Sequence, residues 1–343
     1  MRSSPHKTDG ERIVIAHGGG GELTQRLIAE RFLPKLGNPL LNPLTDSAVL
    51  PVEAGRVALT TDAFVVQPLE FPGGDIGRLA VCGTVNDLAV MGAVPEALTL
   101  ALVIEEGLCT DLLDRIVDSI ARAAGEAGVV IAAGDTKVVE RQRGDGLTIT
   151  TAGIGRMRED VRLGMDRISP GDAVMVSGRI AEHGLAVMSA REGLAFETEL
   201  RSDVAPLSGL VGSLFEAGAE VKFLRDPTRG GLAGVLADLA EQTGLSVEVE
   251  ERAIPISAAG RHAAELLGLD PLTVANEGKV VCVADGSEVE GILKILHGHP
   301  LGRHAACVGR MLASQPALVE LVTTTGGRRI VPRPYGEELP RIC

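Results

Sequence analysis

Five aspartates stand in small, polar loops beside apolar segments: Asp46 in LTDSAVL, Asp62 in LTTDAF, Asp87 in GTVNDLAV, Asp135 in AAGDTKVV and Asp226 in LRDPTRGG. A hard cation such as Mg²⁺ takes oxygen ligands, usually one or two carboxylates completed by water and substrate phosphates. Loops after strands are where α/β proteins build sites. Each aspartate taken singly is an ordinary turn or N-cap residue, so their recurrence carries the Mg–nucleotide reading. A glycine run, Gly18, Gly19, Gly20 and Gly21 after His17, joins a short apolar strand to a helical pattern. Backbone N–H groups there can cradle an anion; the alternative is a flexible turn. It is not a Walker A loop, since the Gly-Lys pair at 278–279 is followed by Val280 and lacks the upstream glycine. Lys137 and Arg229 suit phosphate oxygens or surface salt bridges. Glu277 in ANEGKVV suits a general base if its surroundings raise its pKa; otherwise it is an exposed turn carboxylate. His297, His299 and His304 cluster without a cysteine pair, which favours a loop over a metal site. Cys343 ends a stretch, IVPRPYGEELPRIC, that has three prolines and no period. At about 3.1 Å per residue such a tail spans roughly 40 Å, enough to carry a thiol across a domain, unless it is a disordered terminus.

These residues need a scaffold, and apolar periodicity supplies one. Strand-like runs at 57–61, 97–104, 129–132 and 147–154 alternate with helices near 75–91 and 110–127. In the second helix Leu112, Leu113, Ile116, Val117 and Ile120 share a face. An opening helix runs from Glu22 to about Leu36. The turn-rich stretch Arg156–Asp172 reads as a domain boundary. Beyond it we expect strands at 173–177, 245–250 and 279–284 and helices at 181–192, 207–218, 230–243 and 288–297. Ser287 and Glu290 form a capping box for the last helix. Alternation of this kind indicates an α/β class, with mixed sheets. The expected division is 1–160, 161–329 and a tail from 330 to 343.

Composition excludes several functions. With 33 Lys+Arg against 46 Asp+Glu the net charge is −13, and aromatic residues make up 2% of the chain. Both facts argue against a nucleic-acid surface, and the charge argues against an anionic membrane. The apolar run at 88–104 is broken by Pro95 and Glu96, so no segment reads as membrane-spanning. The N-terminus lacks the apolar core of a signal peptide. Five dispersed cysteines without a CxxC pair suggest reduced thiols and a cytoplasmic protein. Four of them, Cys82, Cys109, Cys282 and Cys307, lie in or beside apolar segments and read as small core residues.

In chain order, AHGGGGE, TTDAFVV, FPGGDIGRLAVCGTVNDLAVMGA, LVIEEGL, AAGDTKVV, RDPTRGGL, ANEGKVV, HPLG and the terminal PRIC span almost the whole sequence. Together they resemble the HypE family of hydrogenase maturation proteins, within the PurM-like (aminoimidazole ribonucleotide synthetase-related) ATP-binding superfamily. PRIC is the specific element, because superfamily members acting on small molecules have no modified C-terminal cysteine. The chain departs from the family in having four glycines where a Ser or Ala often stands among them, which leaves a backbone role intact.

The resemblance implies a PurM-like two-domain fold, with N-terminal domains pairing into a dimeric β-barrel, and a flexible tail. It implies that a carbamoyltransferase, HypF, charges the Cys343 thiol, and that ATP and Mg²⁺ drive dehydration of the thiocarbamate to a thiocyanate. The cyanide then passes to a HypC–HypD complex and becomes a ligand of the NiFe-hydrogenase metal centre. Phosphorylating the carbamoyl oxygen turns a poor leaving group into phosphate, and removing the amide protons expels it. By residue-wise carry-over, metal and phosphate handling falls to Asp46, Asp62, Asp87, Asp135 and Asp226. Nucleotide contacts fall to Gly18–Gly21, Asn86, Thr136 and Arg229. Lys137 and Glu277 would handle the carbamoyl group, with Glu277 as base. Two rivals share these residues: a small-molecule phosphotransferase or ligase, for which Cys343 has no task, and a nucleotide-gated scaffold that performs no chemistry at the thiol.

Overall fold

The computed structural model describes residues 21–32, 42–45, 48–52, 55–194, 200–336, 339 and 341–343. Gly18, Gly19, Gly20, Asp46 and the apolar strand expected near Val14 lie outside the described residues. The opening helix α1 (Glu22–Leu27) continues as a π-helical turn at Ile28–Phe32, and the remainder of the expected helix is outside the described residues.

Two sheets organise the rest of the chain. The first has the order β1-β2-β7-β5-β6, built from β1 (Ala48–Val52), β2 (Gly55–Phe64), β5 (Ala93–Glu105), β6 (Val130–Val139) and β7 (Leu147–Met157). A small hairpin, β3 (Glu70–Phe71) with β4 (Gly74–Asp75), sits before its first long helix. Alternation sorts the strands' faces: Ala58, Thr60 and Phe64 of β2 and Leu147, Ile149 and Thr151 of β7 point inward. Helix α2 (Ile76–Val90) lies on that inner face and is apolar nearly all round because it is covered on every side. Asp75 caps it, its Oδ1 accepting from the N–H groups of Gly77 and Arg78 at 2.8 and 2.9 Å. Helix α3 (Thr110–Ala127) packs on α2 through Ile116, Ile120, Ala123 and Ala124, and stops at Gly128, whose φ of 73° suits glycine. The outer face is open: Leu59, Val103 and Ile154 are 46%, 37% and 40% exposed.

The second sheet has the order β14-β13-β10-β12-β8-β11-β9. Its strands are β8 (Ala173–Val176), β9 (Val221–Arg225), β10 (Ser246–Glu250), β11 (Val281–Ala284), β12 (Ala306–Leu312), β13 (Val319–Val322) and β14 (Arg328–Ile330). Helices α4 (Glu182–Arg191), α5 (Ser208–Glu216), α6 (Gly231–Thr243), α7 (Ala258–Leu267) and α8 (Val289–Gly298) accompany it. Val174 and Val176 of β8 and Val281 and Val283 of β11 pack with Leu232 and Leu236 of α6 on one face, while Met175, Cys282 and Leu210 build a separate core on the other. Among the described residues no helix is long and apolar enough to cross a membrane.

Several sequence expectations change here. The capping box at Ser287 and Glu290 is replaced by Asp285, which accepts from the Ser287 N–H at 2.9 Å and opens a 3-10 turn before α8. Helix α7 and strands β12 to β14 had no counterpart in the periodicity. Cys82 and Cys282 are core residues, with burial pushing both thiols up to about 12, but Cys109 is exposed at the start of α3.

Candidate active site

The C-terminal segment is docked inward. It enters past α1, where the N–H groups of Glu22 and Leu23 donate to the carbonyls of Pro334 and Tyr335 at 3.0 and 3.2 Å. A β-carbon on Gly21 would lie 2.1 Å from the Pro334 oxygen, so the close approach of the tail's backbone requires glycine there. The one described glycine of the HGGGG run thus meets the tail.

The last residues are gripped from several elements. The Arg341 carbonyl accepts from the Gln67 N–H at 3.1 Å and from Arg191 at 2.6 Å. The Arg341 guanidinium pairs with Asp145 at 2.9 Å. Ile342 is 3% exposed and joins the first sheet's core with Phe64, Phe71 and Val187. Its carbonyl meets His183 Nε2 at 2.9 Å. His183 is fully buried, packs edge-on against Phe71, and places Nδ1 2.8 Å from Ser202 Oγ. Burial holds the imidazole below the usual histidine range, opposed by Asp203 and by the hydrogen bond to Ile342.

This docking brings Cys343 to a charged cluster. Arg229 opens α6 beside a left-handed Gly230, whose φ is 77°. Its guanidinium is held more firmly protonated by the negative charge at Cys343 first, then by Asp62, Glu277 and Asp87, while partial desolvation opposes them. Asp62 Oδ2 accepts from Thr84 Oγ1 and Asp87 Oδ2 from Thr60 Oγ1, both at 2.8 Å, so a threonine orients each carboxylate. Asp226 is 5% exposed. Glu277 is buried rather than on an exposed turn. Burial pushes its carboxyl well above the usual range, Asp226, Asp203 and Asp62 add to the rise, and Arg229 opposes it.

The backbone at Glu277 is fixed from both sides. Asn86 donates from Nδ2 to the carbonyls of Ala205 and Glu277, both at 3.1 Å, and accepts from the Leu207 N–H at 2.7 Å. Those three bonds use its amide within the fold and tie α2 to the backbone of Glu277. Asp203 accepts from the N–H groups of Glu277 and Gly278 at 3.2 and 3.3 Å and pairs with Lys279 at 3.0 Å. Burial works against the Asp203 carboxylate, but Lys279, His183 and these hydrogen bonds hold it below the usual range.

Asp135, Thr136 and Lys137 are placed elsewhere. Asp62, Thr151, Leu100 and Gly134 lie in one row across β2, β7, β5 and β6, so β6 is three strand spacings, about 14 Å, from Asp62. Asp135 and Lys137 pair with Ala101 and Val103, which alternate with the inward Leu100, Leu102 and Ile104. Both therefore project from the open outer face, and the sheet separates them from Glu277 within one chain. Thr136 shares the inward parity but is exposed at the sheet's edge. The three histidines form no metal site: His297 Nε2 bonds the Ala305 carbonyl at 2.9 Å and His299 Nδ1 accepts from Leu301 N–H at 3.2 Å.

Among the described residues no group of three or more His, Cys, Asp or Glu is arranged to hold a metal ion by itself. The donors present, two oriented carboxylates beside a guanidinium, fit Mg²⁺, which takes one or two carboxylates and completes its shell with phosphate oxygens and water. Sequence reasoning missed His183, Arg191, Gln67, Asp145, Asp203 and Lys279. Only Lys279 stood inside a motif already singled out.

The AIR synthase related protein N-terminal domain model matches residues 44–157, and its C-terminal domain counterpart matches 169–319. The carbamoyl dehydratase HypE of Rhizobium leguminosarum bv. viciae is 48% identical over 333 residues, covering 97% of this chain and 95% of that protein. The hydrogenase expression/formation protein HupE of Azotobacter chroococcum mcd 1 is 46% identical over 331 residues, or 96% and 97% of the two chains. A HypE–HypF complex superposes with a TM-score of 0.84 at 46% identity, covering 90% of this chain and 99% of the other. The hydrogenase maturation protein HypE in complex with ATP gives 0.81 at 43% identity, with 95% and 98% covered.

Proposed function

The chain belongs to the HypE family of AIR synthase-related proteins, and on that premise we propose that it dehydrates a carbamoyl group carried on its own Cys343 to a thiocyanate, using ATP. The observation that carries this reading is the docked tail, which brings the negative charge at Cys343 within electrostatic reach of Arg229, as Glu277 also is. Neither rival accounts for a terminal cysteine delivered there.

In balanced form, R–S–C(O)NH₂ + ATP gives R–S–C≡N + ADP + phosphate, the carbamoyl oxygen leaving with the phosphate. ATP supplies the activation of that oxygen. Arg229 neutralises negative charge beside the sulfur. Glu277, its pKa raised by burial and three carboxylates, is a stronger base than an ordinary carboxylate and would accept a proton from the carbamoyl nitrogen. Asp203 and Asn86 keep its backbone in place, and Ile342 in the core limits water around the thiol. Mg²⁺, held by Asp62 and Asp87 with Asp226 nearby, would neutralise phosphate charge. The motif carry-over assigns Gly18–Gly20 and Asp46 to the same phosphate end.

Lys137, Asp135 and Thr136 enter this reading through a homodimer. The open face carrying Leu59, Val103 and Ile154 suits a second copy, whose cover would bury these strands and the Lys137 ammonium with them. The division into 1–160, 161–329 and a tail from 330 follows the two sheets, whose cores meet where Val187, Val204 and Ala275 join the first and Ala89 and Val90 join the second. HypF as the source of the carbamoyl group, a HypC–HypD complex as the cyanide acceptor, and a cytoplasmic setting complete the reading.

The test is intact mass of the protein incubated with HypF, carbamoyl phosphate and Mg-ATP, beside Cys343→Ala. Carbamoylation followed by loss of one water, dependent on Cys343 and on hydrolysable ATP, is the expected result. Carbamoylation without water loss would make the chain a carrier only, and no adduct with an active HypF would return the small-molecule reading.

A further inference from the structure

His183 belongs to no motif that carries the chemistry, yet it is fully buried at the point where the tail ends. The Ile342 carbonyl can only accept, so the bond at 2.9 Å requires the proton on Nε2. A neutral ring then leaves Nδ1 as an acceptor, and the group at 2.8 Å is Ser202 Oγ, which must donate. Ser202 Oγ in turn accepts from the Val204 N–H at 3.1 Å. The chain of hydrogen bonds runs from Val204 N–H through Ser202 O–H and His183 Nε2–H to the accepting Ile342 carbonyl, and it fixes both tautomer and ring orientation. Phe71 holds the ring edge-on at 5.4 Å between centroids.

Resting on the dehydratase reading, we propose that His183 is a positioning residue: oriented by Ser202, it latches the Ile342 carbonyl and so delivers the Cys343 sulfur to Arg229 and Glu277. Backbone recognition suits a tail that must leave again, because the latch is indifferent to what the sulfur carries. It grips uncharged, carbamoylated and cyanated tails alike. Asp145 and the apolar seat of Ile342 add selectivity for the residues before the cysteine. The ring touches no reacting atom, so its contribution lies in where the sulfur stands and how often.

The experiment compares His183→Phe, His183→Gln and Ser202→Ala in the full-length protein. One readout is the rate at which a small thiol reagent labels Cys343, with the exposed Cys109 as internal control; the other is single-turnover dehydration after charging by HypF. His183→Phe keeps an aromatic ring but no donor. It should raise Cys343 labelling by up to about tenfold, the range that one hydrogen bond carries, with Cys109 unchanged. Dehydration should slow at least as much, since small misplacement of reacting groups costs heavily, while charging by HypF is undiminished. Ser202→Ala should shift both in the same direction by less. His183→Gln retains a donor nitrogen and should recover most of the protection. Wild-type labelling and dehydration in both His183→Phe and Ser202→Ala would overturn the latch. So would a glutamine variant as loose as phenylalanine, because packing alone would then hold the tail. A wild-type protein that is charged but never loses water would instead sink the dehydratase reading, leaving the labelling arm to judge the latch.

Discussion

Replacing Lys279 by methionine removes one half of a buried ion pair whose partner also holds the proposed base. The side chains of Lys279 and Asp203 are 9% and 2% exposed and lie 3.0 Å apart. At an effective dielectric of about 20, charges at that separation attract by roughly 5–6 kcal/mol, and desolvation of both groups offsets much of it. The variant loses the attraction but keeps the burden of a buried carboxylate, with the N–H groups of Glu277 and Gly278 still donating to it. Removing one partner of such a pair costs about 3–5 kcal/mol, or roughly 5–15 °C in melting temperature. Asp203 is held below its usual pKa, so its stabilisation is fully present above the unfolded value of about 3.9 and is lost as pH falls through the folded value. The gap between wild type and Lys279→Met should therefore be widest near neutrality and narrow below about pH 4. Thermal unfolding across pH measures it. Adding Asp203→Leu should recover much of the loss by removing the unpaired charge. A single variant within about 1 kcal/mol of wild type, or a double variant no better than the single, would refute the argument.

Glu277→Gln should leave charging of Cys343 intact and slow water loss by about 10²-fold or more, measured by intact mass over time. Asn86→Leu leaves the carbonyls of Ala205 and Glu277 and the Leu207 N–H without their partner; at about 1–3 kcal/mol for each group it should unfold well below wild type with ATP present or absent. Thiol titration near pH 8 should find Cys109 reactive and Cys82 and Cys282 silent until denaturant is added, because burial pushes both of the latter to about 12. Gly21→Ala should raise Cys343 labelling by forcing Pro334 away from α1.

Local patterns in the sequence carried the long elements well. The apolar face of α3, the covered α2 and the paired strands β2, β5 and β7 follow from period and composition. Helix α7 was invisible because AAGRHAAELL offers alanines where a strong apolar stripe is needed, although Ser257 caps it. Strands β13 and β14 are too short for alternation to register. For the site, the residue types were legible, but Asp62 lies within β2 and Asp87 within α2, where the sequence suggested loops. What could not be read was side: a strand places Asp135 and Lys137 outward and Asp62 inward by register across four strands. Contacts such as His183 with Ile342, 159 residues apart, leave no local trace. Asn86 shows the converse, a polar residue in a chemical motif whose amide is spent on backbone groups.

Arg341 adopts a φ of 57°, a left-handed conformation unfavourable for a side chain of its kind by about 1 kcal/mol or more. The kink lies at the residue that presents the first of the two gripped carbonyls, so the docked terminus is held against a standing tendency to straighten. About 1 kcal/mol is roughly a fivefold change in population, set in favour of departure. In the proposed reaction, a single thiol that must be charged, dehydrated and unloaded in each cycle cannot turn over faster than it is let go. Under that proposal the strained arginine would shorten each stay, and a tail bound without strain would make a tighter complex but a slower courier.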